Sequence, residues 1–251
     1  MQSPSQFQRI ALIAKPDDHH SLQPTLRALQ QFLLAQGIQV MCDERAAAIL
    51  VEEPGMPLHR LTQQADLAIV IGGDGTLLSS AREMVDTAIP LLGINLGRLG
   101  FLVDISPQQM IERVTAVLDG QYQEDQRILL TCQVGDQAPQ LALNDVVLHK
   151  WNIARMIEFE TWINGSFVDT QRSDGMIIST PTGSTAYALS GGGPLLAPGL
   201  DAISLVPICP HTLSNRPIVI HGDSEIEIVV CGKTDPAHVR ITCDGQACLQ
   251  I

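Results

Sequence analysis

The chain has 251 residues, 45% hydrophobic and 17% charged, so it is long enough for one large domain or two modest ones and too apolar to be disordered. A formal net charge of −12, with no basic run, opposes binding to DNA, RNA or an anionic membrane surface. No apolar stretch approaches the roughly 20 residues of a membrane span, the start lacks a secretory n-region, and the six cysteines form no C-x-x-C pair or zinc-like spacing, which predicts a reduced, cytoplasmic protein with free thiols.

The first half alternates strand and helix. Arg9 to Ala14 reads as a short buried strand. Leu22 to Ala35 carries Leu22, Leu26, Leu29 and Leu33 at helical spacing, and Gly37 follows as a stop. "IQVMC" gives a second strand, Ala65 to Ile71 a third, Thr76 to Val85 a helix, and "IPLLGIN" a fourth strand. Ser106 to Leu118 predicts a helix with Ser106 as N-cap, Pro107 at the first position and Gly120 past its end. This alternation implies an α/β domain over residues 1–119, a parallel sheet with flanking helices. From Tyr122 onward come short strand-like runs, separated by turn signals such as Asn164-Gly165 and His221-Gly222-Asp223. One helix is expected there, around Ser184 to Ser190. Residues 120–251 therefore read as a β-rich, sandwich-like second domain.

Four stretches carry candidate chemistry. In "LAIVIGGDGTLL" a buried strand runs into Gly72-Gly73-Asp74-Gly75. Glycines at the carboxyl end of a sheet strand let backbone N–H groups approach a phosphate. Asp74 would repel that phosphate, so it fits a proton acceptor or metal ligand, or else a tight turn whose Asp caps the next helix. No Walker A or Rossmann fingerprint is present. "GINLGRLGFLVD" is a second glycine loop, with Gly93, Gly97 and Gly100, and its Phe101 is either core or a flank for a bound base. In "LNDVVLH" an amide and a carboxylate, Asn144 and Asp145, stand side by side; the pair can grip vicinal ribose hydroxyls or mark an edge turn. "QRSDGMIISTPTGSTAYALSGGGPLL" is dense in hydroxyls and glycines, and Tyr187 within it is a candidate to stack on a purine. A G-x-S-x-G elbow is missing, which excludes the usual serine hydrolase reading.

Together with "VPICPHTLSNRPIVI", these blocks resemble the NAD kinase family, in its order and roughly its spacing, from Ala65 onward. "GGDG" alone is shared with lipid and sphingoid-base kinases; "STPTGSTAY" separates this family from them. The resemblance implies transfer of the terminal phosphoryl group of ATP to the 2′-hydroxyl of the adenosine ribose of NAD, giving NADP. It also implies a divalent metal, Mg²⁺, and a homo-oligomer, dimer or tetramer. Position by position, Asp74 matches the family's proton acceptor, with Gly75 beside it at the substrate. Phe101 matches a residue flanking the adenosine, and Asn144 and Asp145 a ribose-binding pair. Arg155, Arg172 and Asp174 match further substrate contacts. Thr185, Ala186, Tyr187 and Ser190 match the segment lining the adenine and phosphate region, and Gln246 a late contact. Two departures stand out: Asp145 occupies a position where many members carry Glu, and the family usually continues past "CDGQ" whereas this sequence stops at Ile251. A GGDG-type lipid kinase and a non-catalytic NAD(H)-binding regulator are the alternatives.

Overall fold

The structure is a computed structural model that describes residues 6–15, 19–51, 55–87, 89–96, 100–212 and 215–251. Gly97 of the second glycine loop, and Leu213 and Ser214 of the late block, lie outside the described residues. The chain divides into two compact units, Met1–Glu124 and Asp125–Ile251.

The first unit runs β1 (Arg9–Ala14), α1 (His19–Ala35), β2 (Gln39–Cys42), α2 (Glu44–Leu50), α3 (Leu58–Leu61), β3 (Leu67–Ile71), α4 (Asp74–Glu83), β4 (Leu91–Ile94) and α5 (Met110–Leu118). Its sheet is parallel, in the order β2-β1-β3-β4. Alternate strand residues bury on opposite faces, as the two-residue pleat requires. Ile10, Leu12, Leu67, Ile69 and Ile71 face the α1 leucines and the Met110, Val114 and Leu118 stripe of α5. Ala11, Ile13, Ala68 and Val70 pack with Leu61 and Met84 on the other face. Near-continuous apolar strands are what a sheet covered on both sides demands. Tyr122 packs on Phe7, with ring centroids 5.7 Å apart, which ties the segment after α5 to this unit.

Three local readings change. Ser106 does not cap a helix. The Gln109 N–H bonds Ser106 O at 3.1 Å, so residues 107–109 form a tight turn, and α5 begins at Met110. Its end is as the sequence implies: Gly120 has φ of 78°, and the N–H groups of Gly120 and Gln121 return to Val117 O and Ala116 O, closing a Schellman motif. Second, α4 starts at Asp74 rather than Thr76. Third, α2 was not expected; Asp43 caps it by accepting the Ala46 N–H at 2.7 Å.

The second unit is antiparallel. It comprises β5 (Leu130–Cys132), β6 (Gln140–Ala142), β7 (Asp145–Lys150), β8 (Ile157–Ile163), β9 (Ser166–Ser173), β10 (Gly175–Ser179), α6 (Tyr187–Ser190), β11 (Ala202–Ile208), β12 (Ile218–His221), β13 (Ile226–Val230), β14 (Val239–Cys243) and β15 (Ala247–Gln250). Six strands pair in the order β12-β11-β10-β7-β14-β15, three as β13-β8-β9, and β5 with β6. Val146, Leu148, Met176, Ile178, Ile203 and Leu205 of the large sheet share one core with Ile157 and Phe159 of the three-stranded one, which makes the sandwich. Asn164 and Gly165, at φ of 50° and 73°, form the I′-type hairpin turn between β8 and β9. The single helix expected near Ser184 is instead a 3₁₀ turn, Thr182–Thr185, and one α-turn, α6, broken at Ala186.

Candidate functional site

Both glycine motifs sit where an open α/β sheet binds ligands, at the carboxyl ends of adjacent strands. β3 delivers Gly72-Gly73-Asp74, and the Gly72 N–H bonds Ile94 O at the end of β4 at 2.9 Å. Gly73 is the N-cap of α4 and Asp74 its first residue, so the helix dipole favours the carboxylate. The side chain does not cap its own helix. Its Oδ2 accepts the Phe101 N–H at 2.9 Å, and its Oδ1 accepts those of Leu102 at 3.2 Å and Val103 at 3.0 Å. A carboxylate has about four lone-pair sites, so the three backbone donors among the described residues leave one for a ligand.

The loop that supplies these donors is fixed from behind. Asn95 is buried, and its Nδ2 donates to Val103 O at 3.0 Å while its N–H bonds Ile105 O at 2.8 Å. A Cβ on Gly100 would collide with the Asp74 carboxylate, so that position must be glycine for the clamp to close. The Phe101 ring is 73% exposed and is not core, leaving its face available to a ligand.

In the second unit, Asn144 and Asp145 lie at the start of β7. The "STPTG" segment wraps their backbone: Thr180 N–H donates to Asn144 O at 2.9 Å, and Thr180 Oγ1 donates to Leu143 O at 2.6 Å. Gly183 packs against the Asn144 carbonyl so closely that any side chain would collide with it. Ala188 anchors α6 on the sheet among Val147, Ile177 and Val206, which turns Tyr187 outward, 48% exposed. A cavity of about 580 Å³ results, and Asn144, Asp145, Asp174, Ala186 and Tyr187 all line it. Asn144 Oδ1 is buried without a hydrogen-bond partner. Asp145 is buried too, and no hydrogen bond reaches its carboxylate among the described residues. Burial, with a smaller push from the Asp244 charge, raises the Asp145 carboxyl to about 6.

The remaining sequence candidates are dispersed. Thr185 Oγ1 donates back to Thr182 O at 3.2 Å, and Ser190 is exposed; neither lines the cavity. Arg155, Arg172 and Gln246 are exposed and outside the lining, with Arg172 Nε 3.9 Å from a Glu158 carboxylate oxygen. Gly75 is exposed in the first turn of α4. Three residues at the site went unread in the sequence. Lys150 pairs with Asp174 at 2.8 Å in the cavity wall, and a lone lysine ending a strand carries no signal. Asn95 is one polar residue in an apolar strand end. Asp244 stands two residues before Gln246, and a single aspartate in a Gly-containing turn carries no signal of its own.

Among the described residues no group of three or more His, Cys, Asp or Glu could hold a metal ion. These donors do not fit a resident metal cage. They are compatible with Mg²⁺ carried by substrate phosphates, the usual mode for that hard, strongly hydrated ion.

Models of two domain families cover the chain: the ATP-NAD kinase N-terminal domain matches residues 10–122 and the ATP-NAD kinase C-terminal domain matches residues 143–251. An NAD kinase of Chromohalobacter salexigens is 50% identical over 246 residues, 96% of this chain and 83% of that protein. One of Aeromonas salmonicida is 47% identical over 253 residues, 98% and 86% of the two chains. Among solved structures, yeast NADH kinase complexed with NADH superposes with a TM-score of 0.85 at 26% identity, covering all of this chain and 77% of its own. An NAD kinase from Archaeoglobus fulgidus in complex with ATP gives 0.78 at 27% identity, covering 97% and 86%. With both units matched, and about half the residues shared along nearly the whole length, the chain belongs to the NAD kinase family.

Proposed function

We propose that this chain transfers the terminal phosphoryl group of ATP to the 2′-hydroxyl of the adenosine ribose of NAD, releasing NADP and ADP, with Asp74 as the proton acceptor. The observation that carries the substrate reading is the pair of acceptors in the cavity wall: Asn144 Oδ1, buried without a hydrogen-bond partner, and the carboxylate of the buried Asp145, to which no donor among the described residues bonds. The diol of the other ribose, on the nicotinamide side, offers two adjacent O–H donors and would satisfy both, which leaves the adenosine 2′-hydroxyl for Asp74; a buried acceptor left unsatisfied costs about 1–3 kcal/mol. Tyr187 is exposed beside them and provides a face for a base.

Phosphoryl transfer proceeds through a loose transition state, so the protein's work is positioning and charge stabilisation. The three N–H bonds hold the Asp74 carboxylate in one orientation and leave one acceptor site. A hydroxyl donating to that site is aligned for attack, and its proton passes to the carboxylate as the O–P bond forms and ADP departs. General-base help of this kind contributes roughly 10²- to 10⁴-fold. Once the carboxyl has passed that proton on to solvent, the new phosphate faces a like charge, which favours product release. Mg²⁺ carried by the ATP phosphates would neutralise part of their charge. The N–H groups of the glycine loops add donors that a chain of net charge −12 otherwise lacks. Arg155, Arg172, Asp174, Thr185, Ala186, Ser190, Gln246 and Gly75 are assigned as substrate contacts on the same family pattern. That pattern is also the ground for a homo-oligomer in the cytoplasm; no helix among the described residues is long and apolar enough to cross a membrane.

The test is incubation of the purified chain with NAD, ATP and Mg²⁺, with NADP read by an NADP-specific dehydrogenase. NAD binding in calorimetry without NADP formation makes the chain a non-catalytic binder. Phosphorylation of a lipid acceptor in place of NAD returns the lipid-kinase reading.

A further inference from the structure

Asp244 lies on the turn between β14 and β15, at φ of 52°. Its carboxylate reaches the segment that enters β7. Oδ1 accepts the N–H of Asn144 at 2.7 Å and of Asp145 at 3.2 Å, and Oδ2 accepts that of Leu143 at 3.0 Å. The Asp244 N–H returns a bond to Asp145 O at 2.9 Å. Three successive backbone donors on one carboxylate fix the dihedrals of residues 143–145, and those dihedrals set where the Asn144 and Asp145 side chains point. Thr180 and Gly183 hold the carbonyl side of the same segment, and Asp244 holds its N–H side.

We propose that Asp244 is a positioning residue for NAD recognition, acting through Asn144 and Asp145, whose backbone it locks so that both acceptors face the cavity. This rests on the reading of that pair as the ribose contact. A second effect accompanies the first. The charge of Asp244 adds to burial in raising the Asp145 carboxyl to about 6. The other titratable groups lining the same cavity are His149 and Lys150 on β7, Asp174 ahead of β10 and Tyr187 on α6, and Cys243 of β14 pairs with Val146 next to Asp145. Asp244 is the one whose charge pushes Asp145 upward.

Asp244→Asn separates the two effects from simple loss of fold. It is isosteric and keeps one oxygen for the Asn144 and Asp145 donors, but it removes the charge and sets an NH2 group against the Leu143 N–H, which loosens the segment. The measurements are KM and kcat for NAD, and NAD affinity by calorimetry without ATP, between about pH 5 and 8. In the unsubstituted enzyme KM rises as pH falls through about 6, where Asp145 takes up its proton. In Asp244→Asn the inflection moves to lower pH, KM at neutral pH rises about 3- to 10-fold, and kcat stays within about twofold. Asp244→Ala raises KM further, again with kcat little changed. A clamp that only supported the fold would lower the melting temperature and the active fraction, with KM and the inflection unmoved; that result overturns the proposal. Asp145→Asn is the control. If it raises KM and abolishes the inflection while Asp244→Asn changes neither, the positioning role fails and the ribose reading stands. If Asp145→Asn itself leaves KM and the pH profile untouched, the ribose reading fails and the inference with it.

Discussion

Replacing Gly100 with alanine is expected to inactivate the enzyme without unfolding it. A Cβ at that position would stand 2.5 Å from Asp74 Oδ2 and closer still to Oδ1, where ordinary contact needs at least 3.4 Å. Either the carboxylate retreats by about 1 Å or the loop does, and both movements break the bonds to Phe101, Leu102 and Val103. A misplacement of about 1 Å at a reacting centre costs on the order of 10²-fold, which corresponds to about 2.7 kcal/mol of barrier. The strain is local, since the clash involves one side chain in a loop, so the melting temperature is expected to fall by only a few degrees. The assay is kcat for NADP formation at saturating NAD and ATP, for Gly100→Ala, Asp74→Asn and the double variant. Because the alanine acts through Asp74, the double variant is expected to be no slower than Asp74→Asn alone. A Gly100→Ala enzyme within threefold of the unsubstituted rate, or a double variant in which the two losses multiply, refutes the reasoning.

Asp74→Asn keeps the size of the side chain but removes the proton acceptor; kcat is expected to fall roughly 10²- to 10⁴-fold, with NAD affinity in calorimetry nearly unchanged. Equal losses in affinity and rate would make Asp74 a binding residue instead. Tyr187→Ala is expected to raise KM for NAD by about tenfold with kcat retained, since stacking is similar in ground and transition states; a loss confined to kcat contradicts a base-stacking role. Asp43→Asn tests a structural carboxyl: burial raises Asp43 from 3.8 to about 6, so the folded state holds its proton after the unfolded state has released it. Stability therefore falls as pH rises from about 4 to 6, by roughly 3 kcal/mol at most. Because Asn caps helices as well as Asp, the variant is expected to be the more stable protein in urea melts at pH 8 and the equal of the parent near pH 4. A difference that does not vary with pH rules this out.

Much of the fold was legible because its signals are local. The α1 leucines recur at helical spacing and all four are fully buried. The "LAIVI" run is buried at every position, as a strand covered on both faces must be. Asn164-Gly165 encoded its own turn. The failures have a common cause in competition between local partners. Ser106 could cap a helix, but its carbonyl takes the Gln109 N–H in a tighter turn and delays the helix by one turn. The short α2, seven residues of "ERAAAIL", has too few turns to show a period, and it is held by Asp43 and by burial of Ala46, Ala47, Ile49 and Leu50.

The site was legible in its residue types and not in its couplings. Each unit uses the same device: one aspartate accepts three successive backbone N–H groups from a segment distant in sequence. Asp74 takes those of residues 101–103, and Asp244 those of residues 143–145. The donors of residues 101–103 lie in the loop after β4 and those of residues 143–145 at the entry to β7, and in each case a carboxylate is the side chain that can satisfy several of them at once. No spacing rule connects positions 74 and 101, or 244 and 143, because backbone donors are the same at every residue but proline. What the sequence does carry is the cost of the clamp. Gly100 is glycine because the Asp74 carboxylate occupies the space of its side chain. Asp244 sits at a φ of 52°, a conformation that Asn and Asp tolerate better than most residues. In the first unit the Asp74 carboxylate holds the loop of residues 101–103 first, and its remaining acceptor site is the one we propose for the reacting hydroxyl.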